Sequence, residues 1–523
     1  MIRLKWFALS VAIVLCGLLP GCAPEAREEI VISMPESDYI RSIDTNYYKL
    51  WLEEQTGLSI QFNIIRDIQT PERLRSVFSS GLQTDAFFSI FGSDAPDGMS
   101  RVLQELGEDG YILPLNDYVE ESVHLNAIFD HFPAYDLRSA MTSPDGNIYY
   151  MPGFDPSISQ SNFQVMWINQ SWLKALKLSV PGTTDELRET LIAFRDNDPN
   201  GNGQRDEIPL AGSKDVASEQ CYNFIINAFV YNDPANSRLF VEDGSVKFAP
   251  VTAEWREAMQ YLNELYSDGL ISPFQFELGN VGLEGLANDP ENLLGGFTSR
   301  FINDVIFPSN REVAHNYVHV APLVGSDGTH NATVRTPAPT PAGIITSSCD
   351  NPEAVFKLFD LMLSEEAFLI GRYGEEGVDW NPAGGLDVDF YGDAATVKVV
   401  NQLWGEMQNK HLAELGPFFA YPEYANGVTF SANDLDPHYV DARAYRTYEP
   451  FQPTELIRYR DEGAEAINSY TDNNIEAFIT GEKDPFDDTA WQTYVDGFDD
   501  RGLEQLVQSA QAAYDAQKRS DVS

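Results

Sequence analysis

The 523 residues carry 34 Lys and Arg against 80 Asp and Glu, a formal net charge of −46 at pH 7. Such a surface repels phosphate backbones, and no basic patch interrupts it, so nucleic-acid binding is excluded as a function class. The length is enough for two or more lobes with separate cores.

Taken in chain order, the first residues concern the compartment. Arg3 and Lys5 form a short basic region, and Trp6 to Leu19 an uncharged apolar run. That run falls short of the roughly 20 residues a membrane span needs, and it reads as the apolar part of a signal peptide covering residues 1–21. Leu19-Pro20-Gly21-Cys22 is similar to a bacterial lipobox, in which a small residue precedes a cysteine that becomes diacylated, although Pro20 is an unusual member of that motif. An ordinary cleaved signal with an incidental Cys22 is the alternative. Residues 22–28 then read as a lipid-anchored tether. Beyond residue 21 the chain has 32 basic against 80 acidic side chains, a net −48. No other segment is long and apolar enough to cross a membrane. Of the four cysteines, Cys221 and Cys349 remain in the body. One pair is no disulfide scaffold, and two separately buried thiols are a simpler expectation than a bridge.

From Glu29 short apolar runs alternate with amphipathic segments. Ile30-Val31-Ile32 predicts a strand, and Tyr47 to Thr56 a helix stopped by Gly57. Ile60 to Ile65 predicts a second strand, and a helix with Pro71 near its start runs to Ser80. Ala86 to Phe91 predicts a buried strand. Strand–helix–strand–helix–strand is the pattern of an open α/β lobe, whose ligands sit beyond the carboxyl ends of the strands. Met34-Pro35-Glu36-Ser37 and Gly92-Ser93-Asp94 are then mouth loops. Further on, Thr183-Thr184-Asp185-Glu186 offers a capping box before Leu187, Leu191 and Phe194 on one helix face. Trp255, Met259, Leu262 and Leu265 share the face of another helix, which ends at Asp268-Gly269. Asn351-Pro352-Glu353 opens a helix carrying Val355, Phe356, Phe359, Met362 and Leu363. Glu504 to Lys518 is a terminal helix. No repeat, low-complexity tract or linker divides the chain, which implies more than one crossing between lobes.

The sharpest motif runs from Asp196 to Glu207, where oxygen-bearing side chains alternate with glycines at tight turns. Calcium takes six to eight hard oxygen ligands, which alternate residues of a curled loop can supply. Counted from Asp196 the run matches the regular EF-hand pattern, with Gly201 sixth and Glu207 twelfth. Counted from Asp198 the ligands are Asp198, Asn200, Asn202, the carbonyl of Gln204, and Asp206 or Glu207. Ile208-Pro209 resists a second helix, so the loop reads as a fixed structural clip rather than a helix–loop–helix sensor. An Asx/Gly turn that binds nothing is the bland alternative.

Asp198 to Pro209 resembles the calcium loop of the family 1 extracellular solute-binding proteins, in the branch of large lipoproteins related to the alginate-binding proteins. Other blocks are similar to that family in order along the chain. They are Asp145 to Pro152, Trp167-Ile168-Asn169 with Trp172-Leu173, Tyr261 to Tyr266 with Gly269 to Pro273, Tyr373-Gly374-Glu375-Glu376-Gly377, Phe478 to Gly481, and Gln511 to Asp515. The resemblance implies an α/β, two-lobed periplasmic-binding-protein fold with an interlobe cleft and extra C-terminal helices. It also implies the Asp198 register for a structural Ca2+, without Asp196. Lobe I is expected over residues 29–150 with a returning segment around 300–365. Lobe II is expected over 151–300 with the calcium loop at 196–207, and much of 366–523 as helical additions. The implied function is an ABC importer's substrate-binding lipoprotein, anchored through Cys22 on the outer face of the cell membrane. It would act as a monomer and hand a solute, most readily an oligosaccharide, to permease subunits.

Sugars need aromatic platforms and polar groups for their hydroxyls, which nominates Phe154, Trp167, Arg300, Glu376, Trp380 and Phe418, with Phe419 and Glu375 as neighbours. Each has packing or capping as its bland alternative. A polyanionic ligand requires arginines in the cleft. An enzyme is the competing class, yet no Gly-x-Ser-x-Gly, His-Glu-x-x-His or phosphate loop is present. The histidines, His131, His315, His319 and His330 among them, form no helical metal pair. A secreted carbohydrate-active hydrolase, or a sensor or adhesion lipoprotein on the same fold, remains the alternative.

Overall fold

The computed structural model describes residues 27–37, 40, 42–66, 71–81, 83–89, 99–143, 145–157, 163–307, 310–334, 337–389, 394–401, 409–425, 428–430 and 462–520. Local signals place the first elements. Strand β1 spans Glu29–Met34, and the next helix, Tyr47–Thr56, is capped by the Asn46 side chain accepting the Lys49 N–H. Gly57 ends that helix in the left-handed region at φ 72°, where a side chain would be strained. Strand β2 spans Ser59–Ile64, and β3 is the short Ala86–Phe88. The apolar run was expected to continue to Phe91, but Ser89 leaves the strand at φ 35°. Residues 90 and 91 and the expected mouth loop Gly92-Ser93-Asp94 lie outside the described residues, as does Cys22.

Strand β4 (Met151–Phe154), β10 (Thr340–Ile345) and β13 (Phe418–Phe419) complete the first sheet, in the order β13-β4-β10-β3-β1-β2. β1, β2 and β3 run parallel, β10 is antiparallel to both β3 and β4, and β13 is parallel to β4. The carboxyl ends of β1, β2, β3, β4 and β13 therefore share one edge. The core beneath takes Ile32, Phe87, Phe88 and Met151 from the strands, Leu52 from the first helix, and Leu358 and Phe359 from the helix Pro352–Met362.

The second sheet joins β5 (Val165–Asn169), β8 (Gly296–Ser299) and β9 (Tyr317–Val320) in the order β8-β5-β9, all antiparallel. A hairpin of β6 (Leu239–Glu242) and β7 (Ser245–Phe248) stands beside it. Its main core is helical. Leu187, Leu191 and Phe194 of the helix Thr184–Asp196 meet Trp255, Met259, Leu262 and Leu265 of Ala253–Ser267 there, as their periodicity requires. Ile467, Phe478 and Tyr494, from the C-terminal helices Glu462–Thr480 and Asp488–Asp496, close the same core. At the cap of Thr184–Asp196, the Thr183 hydroxyl accepts the Glu186 N–H, while Glu186 reaches past the cap to the Gly182 N–H. A third, small sheet joins β11 (Trp380–Pro382), β12 (Val397–Val399) and β14 (Val428–Phe430).

The chain passes from the first sheet to the second between β4 and β5, returns between β9 and β10, and goes back to the second core between β13 and the helix Glu462–Thr480. Two large apolar cores, one under each main sheet, with smaller clusters beside them, make a two-lobed α/β molecule. Cys221 and Cys349 are both free, and the Cys221 thiol is buried. Among the described residues no helix is long and apolar enough to cross a membrane.

Candidate ligand cleft and calcium loop

The topology puts two loop-bearing edges on the crossover side. In the first sheet this is the carboxyl edge, ending at Met34, Ile64, Phe88, Phe154 and Phe419. In the second it is the edge where Val165 of β5 pairs with Ser299 of β8 and Met166 with Val320 of β9. The first two crossovers leave from these edges, and Phe163 N–H donates to the Thr333 carbonyl between them. Open α/β sheets bind ligands at carboxyl edges such as that of the first sheet.

On the first edge, Arg66 beyond β2 meets Glu36 beyond β1 through both guanidinium contacts, Nε–Oε2 at 2.7 Å and Nη2–Oε1 at 3.1 Å. Asp155, the residue after β4, lies 3.9 Å from Arg372 Nη1, and Glu414 Oε1 holds the same nitrogen at 2.8 Å. On the second edge, Gln164 Nε2 donates to the carbonyls of Ser218 and Gln220, each at 2.9 Å, and to Thr298 Oγ1 at 3.0 Å. Those contacts draw the turn Ala217–Glu219 against β8 and bury Glu219, which is 4% exposed. Glu219 Oε2 has no hydrogen-bond partner, and burial pushes the carboxyl up to about 7 against the pull of the Ser213 hydroxyl. Arg300 follows β8, with its guanidinium 5.2 Å over the Phe301 ring and within electrostatic range of Asp304.

The six nominated ligand residues fall in three places. Phe154 and Phe418 meet at the end of the first sheet, where Phe418 pairs with Gly153 and Phe419 with Phe154. Phe154 is fully buried between Tyr135, at 5.2 Å, and Phe419, at 5.9 Å. Trp167 is buried in β5 and donates Nε1–H to Ser299 Oγ at 3.0 Å, next to Arg300. Trp380 and Glu376 sit apart, on and beside the third sheet. Trp380 is buried, with Nε1–H on the Gly374 carbonyl at 3.1 Å, whereas Glu376 is exposed. Of the edge pairs, only Glu36 lay in a loop marked by the sequence. Arg66, Arg372, Glu414 and Glu219 carry no local motif, because their partners come from distant segments.

The oxygen-rich loop is folded tightly on itself. Gly201 and Gly203 take φ 74° and 80°. Asp198 Oδ2 accepts the Gly203 N–H at 3.0 Å, Asn200 Oδ1 the Asn202 N–H at 3.1 Å, and Asn202 Oδ1 the Gln204 N–H at 2.7 Å. Asn202 Nδ2 reaches both Asp206 oxygens, at 3.1 and 3.2 Å. Both Glu207 carboxylate oxygens are shielded from solvent and have no hydrogen-bond partner. Burial, reinforced by the charges of Asp198 and Asp206, raises the Glu207 pKa. The oxygen-only donor set and the orphaned carboxylate fit a hard cation. Among the described residues no group of three or more His, Cys, Asp or Glu side chains converges as a closed metal site. In this loop three of the six donors are two amide oxygens and a backbone carbonyl. Asp196 is turned to Arg195, 2.8 Å away, and stands outside the set.

No protein-family model matches the chain. It is 33% identical over 234 residues to the fructooligosaccharide ABC transporter substrate-binding protein FusA of Streptococcus pneumoniae, covering 43% of this chain and 41% of that one. It is 24% identical over 278 residues to lipoprotein LipO of Bacillus subtilis, covering 52% and 51%. The chain thus spans about half the length of these curated relatives. Among solved structures, FusA from S. pneumoniae with kestose superposes at TM-score 0.73 and 22% identity, covering 94% of this chain and 100% of that one. An EF-hand mutant of FusA with fructo-nystose gives TM-score 0.71 at 22% identity, covering 94% and 100%. The alginate-binding protein AlgQ2 without calcium ion gives 0.61 at 20% identity, covering 94% and 98%. The resemblance read in the sequence is borne out: the homologues of this chain are ABC-transporter substrate-binding proteins, binders rather than enzymes, and it carries their two-lobed fold.

Proposed function

We propose that the chain is the substrate-binding lipoprotein of an ABC importer and that it captures an oligosaccharide between its two lobes for delivery to a permease. The observation that carries this reading is the similarity to a fructooligosaccharide-binding relative on a fold whose two strand edges border the crossovers. Clamp-like closure of the lobes on the ligand would hinge on the crossovers. Cys22 would be the diacylated anchor, and the chain would act as a monomer on the outer face of the membrane. Asp198, Asn200, Asn202, the Gln204 carbonyl, Asp206 and Glu207 would hold a structural Ca2+, which fixes the loop to the second lobe. The orphaned Glu207 oxygens support that assignment, as do the EF-hand mutant of FusA and the calcium-free form of AlgQ2 among the similar structures.

The test is melting of the chain lacking residues 1–22, which keeps every described residue, against a panel of oligosaccharides with calcium present. A sugar at about 100 times its dissociation constant is expected to add about 2.7 kcal/mol and to be recovered intact. A consumed sugar would replace the reading with a hydrolase. No shift with any sugar would remove the oligosaccharide.

A further inference from the structure

The charges on the two edges bear on which oligosaccharide is taken, an inference that rests on the oligosaccharide reading above. A uronate chain carries a carboxylate on every ring. Binding it requires arginine or lysine left free to meet those carboxylates, because a desolvated anion without a counter-charge is strongly disfavoured. A neutral sugar asks only for hydroxyl partners and apolar platforms.

Of the three described arginines at these edges, two are ion-paired with carboxylates of the protein itself and the third lies within electrostatic range of one. Arg66 is held by Glu36 through two nitrogens. Arg372 is held by Glu414 at 2.8 Å with Asp155 at 3.9 Å. Arg300 lies within range of Asp304, which also accepts the Phe301 N–H at 2.8 Å. Four carboxylates, Glu36, Asp155, Glu414 and Asp304, thus stand against three guanidinium groups. An arriving uronate would have to displace an internal carboxylate from its arginine and then sit beside it. Like charges so juxtaposed disfavour the bound uronate, most at the partly buried Arg372.

We propose that this cleft selects neutral oligosaccharides and turns uronate chains away. The same chain lacking residues 1–22 is titrated calorimetrically with fructo-, xylo-, manno- and galacto-oligosaccharides, and with oligogalacturonate and oligomannuronate of matched length. At least one neutral sugar is expected to bind roughly a hundredfold more tightly than either uronate. Its affinity should change by less than about twofold between low and high salt, since no ligand charge is screened. A uronate that binds as tightly as the best neutral sugar, or more tightly, overturns the selectivity while leaving the oligosaccharide reading intact. Failure of every saccharide in both groups overturns the two together.

Discussion

Burial sets the chemistry of Glu219 more than its neighbours do. One carboxylate oxygen is without a partner, the Ser213 hydroxyl serves the group, and Asp304, Glu284 and Asp215 add negative potential. Its folded pKa is pushed up to about 7 from an ordinary 4.5. The folded state therefore holds this proton more tightly than the unfolded chain does. The contribution to stability is full below the unfolded value and is lost as pH rises through about 7. Glu219→Gln keeps the shape and removes the charge. At pH 8 the variant is expected to be more stable than the parent by roughly 1–3 kcal/mol, at about 1.4 kcal/mol per pKa unit. At pH 4.5 the two should coincide. Urea unfolding at both pH values reads this directly, and a variant no more stable at pH 8 would show that the ionised carboxylate is satisfied. Nothing in Ala217-Ser218-Glu219-Gln220 marks a buried acid in the sequence, where it reads as a polar turn. The burial is imposed by Gln164, which is 54 residues away from Ser218, so it exists only once the fold has formed. Phe154 and Trp167 show the same dependence in reverse. An aromatic residue in the sequence says nothing of which face it turns, and both pack inward here.

Elements whose information is local were legible before the fold. The helix Tyr47–Thr56 with Gly57, the Thr183 and Asn351 caps, and the apolar face of Ala253–Ser267 all follow from spacing within a few residues. The order β13-β4-β10-β3 along one half of the first sheet does not, because it joins widely separated segments and no periodicity encodes a partner. The loop from Asp198 to Glu207 lies between these cases. Its ligands alternate in the sequence, but the shielding of Glu207 belongs to the fold, in which the adjacent Ile208 pairs with the distant Leu293-Leu294 segment. An orphaned carboxylate there is a cost without a cation and a ligand with one. Scanning calorimetry is therefore expected to show the parent chain melting higher in calcium than in chelator. Glu207→Gln should remove most of that response and, in chelator, be at least as stable as the parent, since no buried carboxylate is then left unpaired. An undiminished calcium response in the variant would take Glu207 out of the site.

At the scale of the molecule, the charge imbalance outweighs the individual pairs. If every Lys and Arg were matched to an acid, 46 of the 80 acidic side chains would still be without a counter-charge. Many described ion pairs are solvent-exposed, such as Lys357–Glu353 at 71% and 67% and Arg66–Glu36 at 77% and 49%. Pairs of that kind contribute between nothing and about 1 kcal/mol each. Added salt weakens these attractions and the general repulsion together, so the larger of the two decides the sign. Repulsion among dozens of unmatched carboxylates acts over the whole surface and opposes the compact state. Raising NaCl from about 20 mM to about 500 mM shortens the screening length from roughly 20 Å to roughly 4 Å, which spans the spacing of neighbouring surface charges. The melting midpoint is therefore expected to climb through that range and then level off, with the calcium level buffered throughout. A matched sucrose series, which changes no screening, separates the charge effect from general exclusion of solute from the surface. A midpoint that falls with NaCl would mean that the ion pairs, with Lys49–Glu53, Arg238–Asp472 and the Arg372 cluster foremost among those that are buried or partly buried, hold the molecule together more strongly than its net charge pulls it apart.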